Sequence, residues 1–317
     1  MKKIISLNLS FVLLLLCGCA GTQENKDTRF MLDTVVSLTA ACDSETLDGA
    51  FALCESYENL FSRTVKNSEV YTLNNSNGFI EVSDATLEII QKAIYYSNAS
   101  NGKFDITIYP VSSLWDFNNQ IIPSRDEIAE ALKNVDYQSI EIDGNKINLN
   151  GKQIDLGGIA KGYIADRLFE YFKEKEVSEG IIDLGGNLVV FGDRDYTVGI
   201  KQPFSSDLAA TVKLRNKTVV TSGTYERYIT ADVKLYHHIL DSDTGYACDS
   251  DLTSATIIGD SSIDADALST VCILLGLDKA KELIENTPDT EAVFIDNDGK
   301  LHYTSGLDLK DSQFTLK

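Results

Sequence analysis

Cationic side chains, histidine, tryptophan and proline are all scarce in this chain. Against 48 Asp and Glu stand 28 Lys and Arg, a formal charge of −20 over 317 residues. Sequence-independent affinity for nucleic acid comes from clustered Lys and Arg, so that class of partner is excluded. An anionic ligand must instead be met by a metal ion or by backbone N–H groups. The four cysteines beyond Cys19 (Cys42, Cys54, Cys248 and Cys272) show no Cys-x-x-Cys spacing. Their apolar neighbours make them read as buried free thiols, although an oxidising compartment would permit disulfides. What is abundant is ordinary: 43 % hydrophobic and 24 % charged residues describe a globular chain, expected as one large domain or two intimate lobes.

The N-terminus is a separate message. Lys2 and Lys3 precede an apolar stretch from Phe11 to Leu16 that is short for a membrane-spanning helix, and Gly18 then precedes Cys19. This is similar to a bacterial lipobox, which implies cleavage before Cys19 and a diacylglyceryl anchor on it. Plain secretion with an incidental cysteine is the competing reading. Cleavage takes the charge from −20 to −22, so the lipid, not a polybasic patch, would hold the protein to the membrane. The expected organisation is a signal peptide over 1–18, a polar tether over 19–29 and the main domain over 30–317.

Periodicity places a strand at Thr34, a helix from Glu45, a second helix from Asp84 as its N-cap to about Ser97, and a third from Ser124 with Glu127 completing a capping box. Asp143-Gly144 marks a hairpin turn. Asp-Leu-Gly-Gly occurs twice, 28 residues apart, at Asp155 and at Asp183. The first copy is expected to end a short strand and open a helix at about Ile159; the second lies in a buried strand running from Gly180 to Gly192. Strands follow at Tyr196, Ala210 and Tyr236, helices at Asp264–Leu275 and Asp278–Glu285, and a terminal hairpin turns at Asp298-Gly299. Helices and strands without strict βαβ alternation indicate an α+β fold.

Five stretches carry candidate chemistry. Glycines before a helix start let backbone approach an anion, which singles out Asp155, Gly157 and Gly158; a tight turn for helix packing competes. Asp266 and Thr270, four residues apart, share one helix face and offer a carboxylate and a hydroxyl to one hard cation; a merely packed Thr270 competes. His237 and His238 point to opposite faces if extended, so one can face a site, and a neutral His238 can accept a proton from a hydroxyl; a structural histidine competes. The segments Thr221–Tyr228 and Gly102–Phe117, the latter with the single Trp115, read as loop or core when taken alone.

Together these stretches resemble the ApbE family, the FAD:protein FMN transferases, many of which are exported lipoproteins. The resemblance runs from about Phe30 to the C-terminal hairpin. Seven motifs appear in family order: FMLDTVVSL, GKFDITIYPVSSLWDF, IDLGGIAKGYIADRL, IIDLGGNLVVFG, TSGTYERY, HHILDSDTG and DADALSTV. It implies an ApbE-like (T-fold-like) α+β architecture of mixed and antiparallel sheets with flanking helices. It also implies cleavage of FAD to AMP and transfer of FMN, as a phosphoester, to a Thr or Ser of an exported FMN-binding acceptor protein of a redox complex. Mg²⁺ is the implied cofactor, with Mn²⁺ as an alternative. Asp266, Thr270 and the Gly158 carbonyl match the family's metal ligands, and His238 matches its catalytic histidine. Met31, Lys103, Phe104, Asp105, Asp155, Lys161 and Leu240 match segments that contact the flavin nucleotide.

Two departures stand out. The usual Met-Gly-Thr reads Leu32-Asp33-Thr34, and Ser242 and Ala247 replace prolines common in the turn after the histidine, implying a less preorganised loop. Two other functions remain: an FAD pyrophosphatase releasing FMN and AMP, and a surface lipoprotein that binds FAD without chemistry.

Overall fold

The computed structural model describes residues 24–232 and 234–317. The signal-like segment and Cys19 lie outside the described residues. The polar stretch expected as a tether becomes strand β1 (Glu24–Met31) from Glu24 onward, paired along its whole length with β2 (Thr34–Ala41). Strand β1 thus includes residues 24–29, ahead of the expected boundary at Phe30. Its polar residues suffice because β1 is an edge strand and needs only one buried face: the Arg29 guanidinium covers the Phe51 ring at 4.0 Å and pairs with Asp27 at 2.9 Å.

Helices α1 (Ser44–Phe61), α2 (Glu69–Asn74) and α3 (Asp84–Ala99) follow, with the two-residue strand β3 (Ile80–Glu81) before α3. The cap of α3 is Ser83, one residue before the expected Asp84, because the Ser83 hydroxyl accepts from Thr86 N. After α4 (Tyr109–Ser112), helix α5 (Arg125–Leu132) carries the expected capping box between Ser124 and Glu127. β4 (Glu141–Asp143) and β5 (Lys146–Asn148) form the expected hairpin.

Helix α6 (Ala160–Glu174) follows the first Asp-Leu-Gly-Gly. The second copy corrects the expectation of one continuous strand. It is the turn of a hairpin between β6 (Gly180–Leu184) and β7 (Asn187–Phe191), where Gly185 and Gly186 take φ of +67° and +94°. Two successive left-handed residues are what a two-residue hairpin turn requires. The chain continues through β8 (Tyr196–Lys201), β9 (Leu208–Leu214), β10 (Lys217–Gly223), β11 (Tyr228–Ala231), β12 (Lys234–His237) and β13 (Leu252–Gly259). Then come α7 (Ser262–Leu275), α8 (Leu277–Glu285), β14 (Glu291–Asp296) and β15 (Leu301–Tyr303). The hairpin β14–β15 is not terminal: β16 (Leu307–Lys310) and β17 (Gln313–Leu316) follow, turning at Asp311-Ser312 without a glycine to announce the turn.

Among the described residues the main sheet has eight strands in the order β1-β2-β6-β7-β10-β13-β14-β15, each pair antiparallel. A four-stranded sheet, β16-β17-β9-β8, contains a parallel pair, β17 with β9. The fold is thus α+β with mixed and antiparallel sheets, as expected. Strand alternation divides the core into two layers. Ala255, Ile257, Ala292 and Phe294 face the helices; Ile258, Val293 and Ile295 face the second sheet with Val212, Leu307 and Phe314. Each fully buried side chain of this size contributes about 1.5–3 kcal/mol. All four cysteines within the described residues are buried free thiols, as expected.

Candidate active site

The first Asp-Leu-Gly-Gly does not end a strand. Ile154 is instead pinned by the side-chain amide of Asn74, which donates to the Ile154 carbonyl at 2.9 Å and accepts from its N–H at 2.7 Å. One buried amide thus replaces a strand partner. The Asp155 carboxylate folds back to accept from Gly157 N at 2.9 Å, while its other oxygen pairs with Arg63 and lies 3.4 Å from the Ser112 hydroxyl. Buried Leu156 and Ile159 anchor the segment, and the Leu156 carbonyl accepts from Ala160 N at 2.9 Å. Gly158 lies against Phe104 and faces helix α7: a Cβ there would come 3.0 Å from Phe104 Cε2 and 3.8 Å from Thr270 Oγ1.

The close crossing of α6 and α7 is what brings these groups together. At Gly162 a Cβ would collide with the Ser262 carbonyl and lie 2.7 Å from Asp266 Cβ, so only glycine permits the approach. Across this contact Gly162 N donates to Asp266 Oδ2 at 2.8 Å. Asp266 is buried, and burial raises its pKa, opposed by the Lys161 charge and the Gly162 N–H. Its Oδ1 hydrogen-bonds no group among the described residues. Thr270, one turn on and half-buried, has its hydroxyl 3.3 Å from that of Ser222.

This donor set fits a hard cation. One carboxylate oxygen left without a hydrogen-bond partner in a buried setting, one hydroxyl and the adjacent Gly158 segment supply oxygen ligands only, which suits Mg²⁺ sharing its shell with substrate phosphates. Among the described residues no group of three or more His, Cys, Asp and Glu is arranged to hold a metal.

The two histidines diverge as expected. His237 is buried, its Nε2 3.2 Å from the Cys248 carbonyl, and is structural. His238 is partly exposed with its Nδ1 sealed from solvent, so Nε2 is the ring nitrogen a ligand can reach. Burial, then the neighbouring Arg227 charge, push its pKa down to about 4, so the ring is neutral at pH 7. Its backbone N–H donates to the Arg227 carbonyl at 3.0 Å. The Lys161 charge also lowers the pKa of both His238 and Asp266.

The loop after His238 is better anchored than its missing prolines imply. Ser242, at one of those positions, donates its hydroxyl to the Gly102 carbonyl at 2.7 Å. Lys103 bridges Asp241 at 2.8 Å and Asp243 at 2.7 Å, and Trp115 Nε1 donates to the Gly245 carbonyl at 3.2 Å. The expectation of a loosely held loop is corrected: hydrogen bonds replace fixed φ. Leu240 is buried against Trp115 and pairs in a bridge with Ala247.

Asp105 does not reach into the site with a free oxygen. It is buried and accepts from Thr107 N at 2.7 Å, Thr107 Oγ1 at 2.6 Å and Tyr137 N at 3.1 Å, so it organises the turn that presents Phe104. Met31 is half-buried at the end of β1, where Leu32 and Asp33 both take φ of +55°. That costly geometry is held from both sides: Leu32 N donates to Glu58 at 2.9 Å, and Arg227 reaches the Asp33 carbonyl at 3.4 Å. Asn74, Arg63, Glu58 and Ser222 carry no sequence signal for these contacts, because each partner is distant in the chain.

The sequence profile described as "ApbE family" matches residues 32–294. A Klebsiella pneumoniae protein named FAD:protein FMN transferase is 34% identical over 263 residues, covering 80% of this chain and 83% of the relative. A Treponema pallidum protein of the same name is 29% identical over 288 residues, covering 82% and 80%. Among solved structures, the ApbE protein of Thermotoga maritima superposes with a TM-score of 0.82 at 30% identity, over 89% of this chain and 97% of that one. The apo flavinyl transferase ApbE of Pseudomonas stutzeri gives 0.79 at 24% identity, over 89% and 95%, a likeness of fold.

Proposed function

The chain belongs to the ApbE family, and from that premise we propose that it is a Mg²⁺-dependent FAD:protein FMN transferase. The observation that carries the reading is the α6–α7 crossing, which holds the buried Asp266 carboxylate one helical turn from Thr270 and brings the Thr270 hydroxyl towards Gly158. A pyrophosphate needs positive charge, and an acceptor hydroxyl needs a base; Lys161 can supply the first and the neutral His238 the second.

In the proposed reaction the hydroxyl oxygen of an acceptor Thr or Ser attacks the phosphorus of the FMN half of FAD. The bridging P–O bond breaks, AMP leaves with the bonding pair, and the hydroxyl proton passes to His238 Nε2. Asp266, Thr270 and the Gly158 carbonyl would hold the cation, Mg²⁺ or Mn²⁺, which neutralises pyrophosphate charge when bound. Lys161 adds fixed positive charge, and Phe104 walls the cleft beside Gly158. Leu240, Met31 and the Lys103 bridge shape the flavin side, and Asp155 fixes the turn that presents Gly158.

The lipobox-like Cys19 supports an extracytoplasmic, membrane-anchored enzyme acting on an exported FMN-binding protein of a redox complex. Incubation with FAD, Mg²⁺ and such a domain should yield a fluorescent acceptor that keeps its flavin through denaturation. Free FMN and AMP with an unmodified acceptor would identify a pyrophosphatase, and intact FAD a carrier.

A further inference from the structure

One half-buried carboxylate in the α6–α7 crossing has no place in the proposed chemistry. Asp166 Oδ1 accepts from Ser262 N at 2.8 Å and its Oδ2 from Ile263 N at 2.9 Å, so both oxygens cap the free N–H groups of the first turn of α7. Four residues earlier, on the same face of α6, Gly162 N donates to Asp266 of α7. Each helix thus lends a carboxylate to the backbone of the other, and one of the three bonds is made at Gly162, where the helices pack closely. Ser261 caps only the next amide, Asp264 N, at 3.4 Å, and does not duplicate Asp166.

We propose that Asp166 is a positioning residue for the cation site, fixing by this reciprocal clamp the place of Asp266 and Thr270 relative to Gly158. The inference rests on the reading of Asp266 and Thr270 as cation ligands. Without the Asp166 caps, the Gly162–Asp266 bond is the one hydrogen bond left between α6 and α7 among the described residues, and it engages the group that must also meet the cation. One oxygen of Asp266 would then both anchor a helix and set ligand geometry. Asp166 separates these tasks: it carries the docking of the helix and leaves Asp266 to orient. A residue that orients a ligand side chain typically changes metal affinity 10- to 100-fold, without touching the metal.

The test is a Mn²⁺ titration of the FAD-free full-length protein, read by electron paramagnetic resonance, for the wild type and for Asp166→Asn, Gly162→Ala, Asp266→Ala and Ile284→Val. Asparagine can accept only one of the two N–H groups, so Asp166→Asn should bind Mn²⁺ at least about tenfold more weakly. Gly162→Ala keeps both carboxylates but forces the helices apart, and should show the same weakening; it also serves if Asp166→Asn does not fold. Ile284→Val, a core change in α8, controls for lost stability and should retain wild-type affinity. Wild-type affinity in Asp166→Asn or, should that variant not fold, in Gly162→Ala, with loss in Asp266→Ala, would overturn the clamp and leave the cation site standing. Undiminished affinity in Asp266→Ala would overturn the cation site, and the clamp with it. Equal weakening in Ile284→Val would reduce Asp166 to a general stabiliser and overturn its positioning role.

Discussion

The two Asp-Leu-Gly-Gly segments begin with the same local device and end in different structures. In each, the aspartate folds back onto the N–H two residues ahead: Asp155 accepts from Gly157 at 2.9 Å and Asp183 from Gly185 at 3.0 Å. The difference lies in the glycines. Gly185 and Gly186 are left-handed and close a hairpin, whereas Gly157 and Gly158 are not among the left-handed residues and run forward into α6. A repeated tetrapeptide thus encodes a repeated turn, and the distant partners decide its use: Asn74, Arg63 and α7 around the first copy, Thr34 and β7 around the second.

The contrast breaks most sharply at Asp266, which belongs to the first copy's surroundings alone. Asp266→Ala should lower metal-dependent FMN transfer by about a thousandfold, since a cation at a transferring phosphoryl group is worth several kcal/mol. Transfer assays on protein shown to be folded would check this; unchanged turnover would remove Asp266 from the site.

Alanine at the two turns should separate stability from rate. A Cβ at Gly185 would collide with the Thr34 hydroxyl in a left-handed conformation, so Gly185→Ala should cost about 2–4 kcal/mol of stability while the rate per folded molecule changes little. Gly158→Ala need only displace the Phe104 ring slightly. It should cost under about 1 kcal/mol of stability but roughly tenfold in kcat/KM. Denaturant melts beside steady-state kinetics distinguish the two, and the same profile at both glycines would abolish the distinction.

The smallest effect concerns pH. The unfolded His238 ring takes up its proton near its ordinary value of 6.5, the folded ring only near about 4. Acidification between these values therefore favours unfolding, and this contribution to stability falls as pH falls. The base form in the folded enzyme should persist to about pH 5, so the acid limb of kcat/KM should lie below the ordinary histidine range. A limb at 6.5 abolished by His238→Gln would contradict the burial of this ring.

Much of the fold was legible in the sequence where signals are local. The capping box at Ser124, the Asp-Gly turns and the helical periodicity of α6 and α7 all announce themselves within a few residues. Strand β1 was missed because an edge strand tolerates polar residues, and β16–β17 because its turn uses Asp311 and Ser312 in place of Gly. At the site, the Asp266–Thr270 spacing and the divergence of His237 from His238 were readable from helix and strand periods. The two-sided anchoring of the Leu32-Asp33 turn was not, since Glu58 and Arg227 are brought to it by the tertiary fold. Nor was the structural engagement of Asp105, whose acceptors' partners include the distant Tyr137.

The most direct measurement is tandem mass spectrometry of an exported FMN-binding domain co-expressed with this enzyme or with its His238→Ala variant. A single Thr or Ser heavier by FMN less one water is expected with the wild type, and an unmodified acceptor with the variant. An acceptor left unmodified by the wild type in the presence of FAD and Mg²⁺, or modified equally by both, would contradict this expectation.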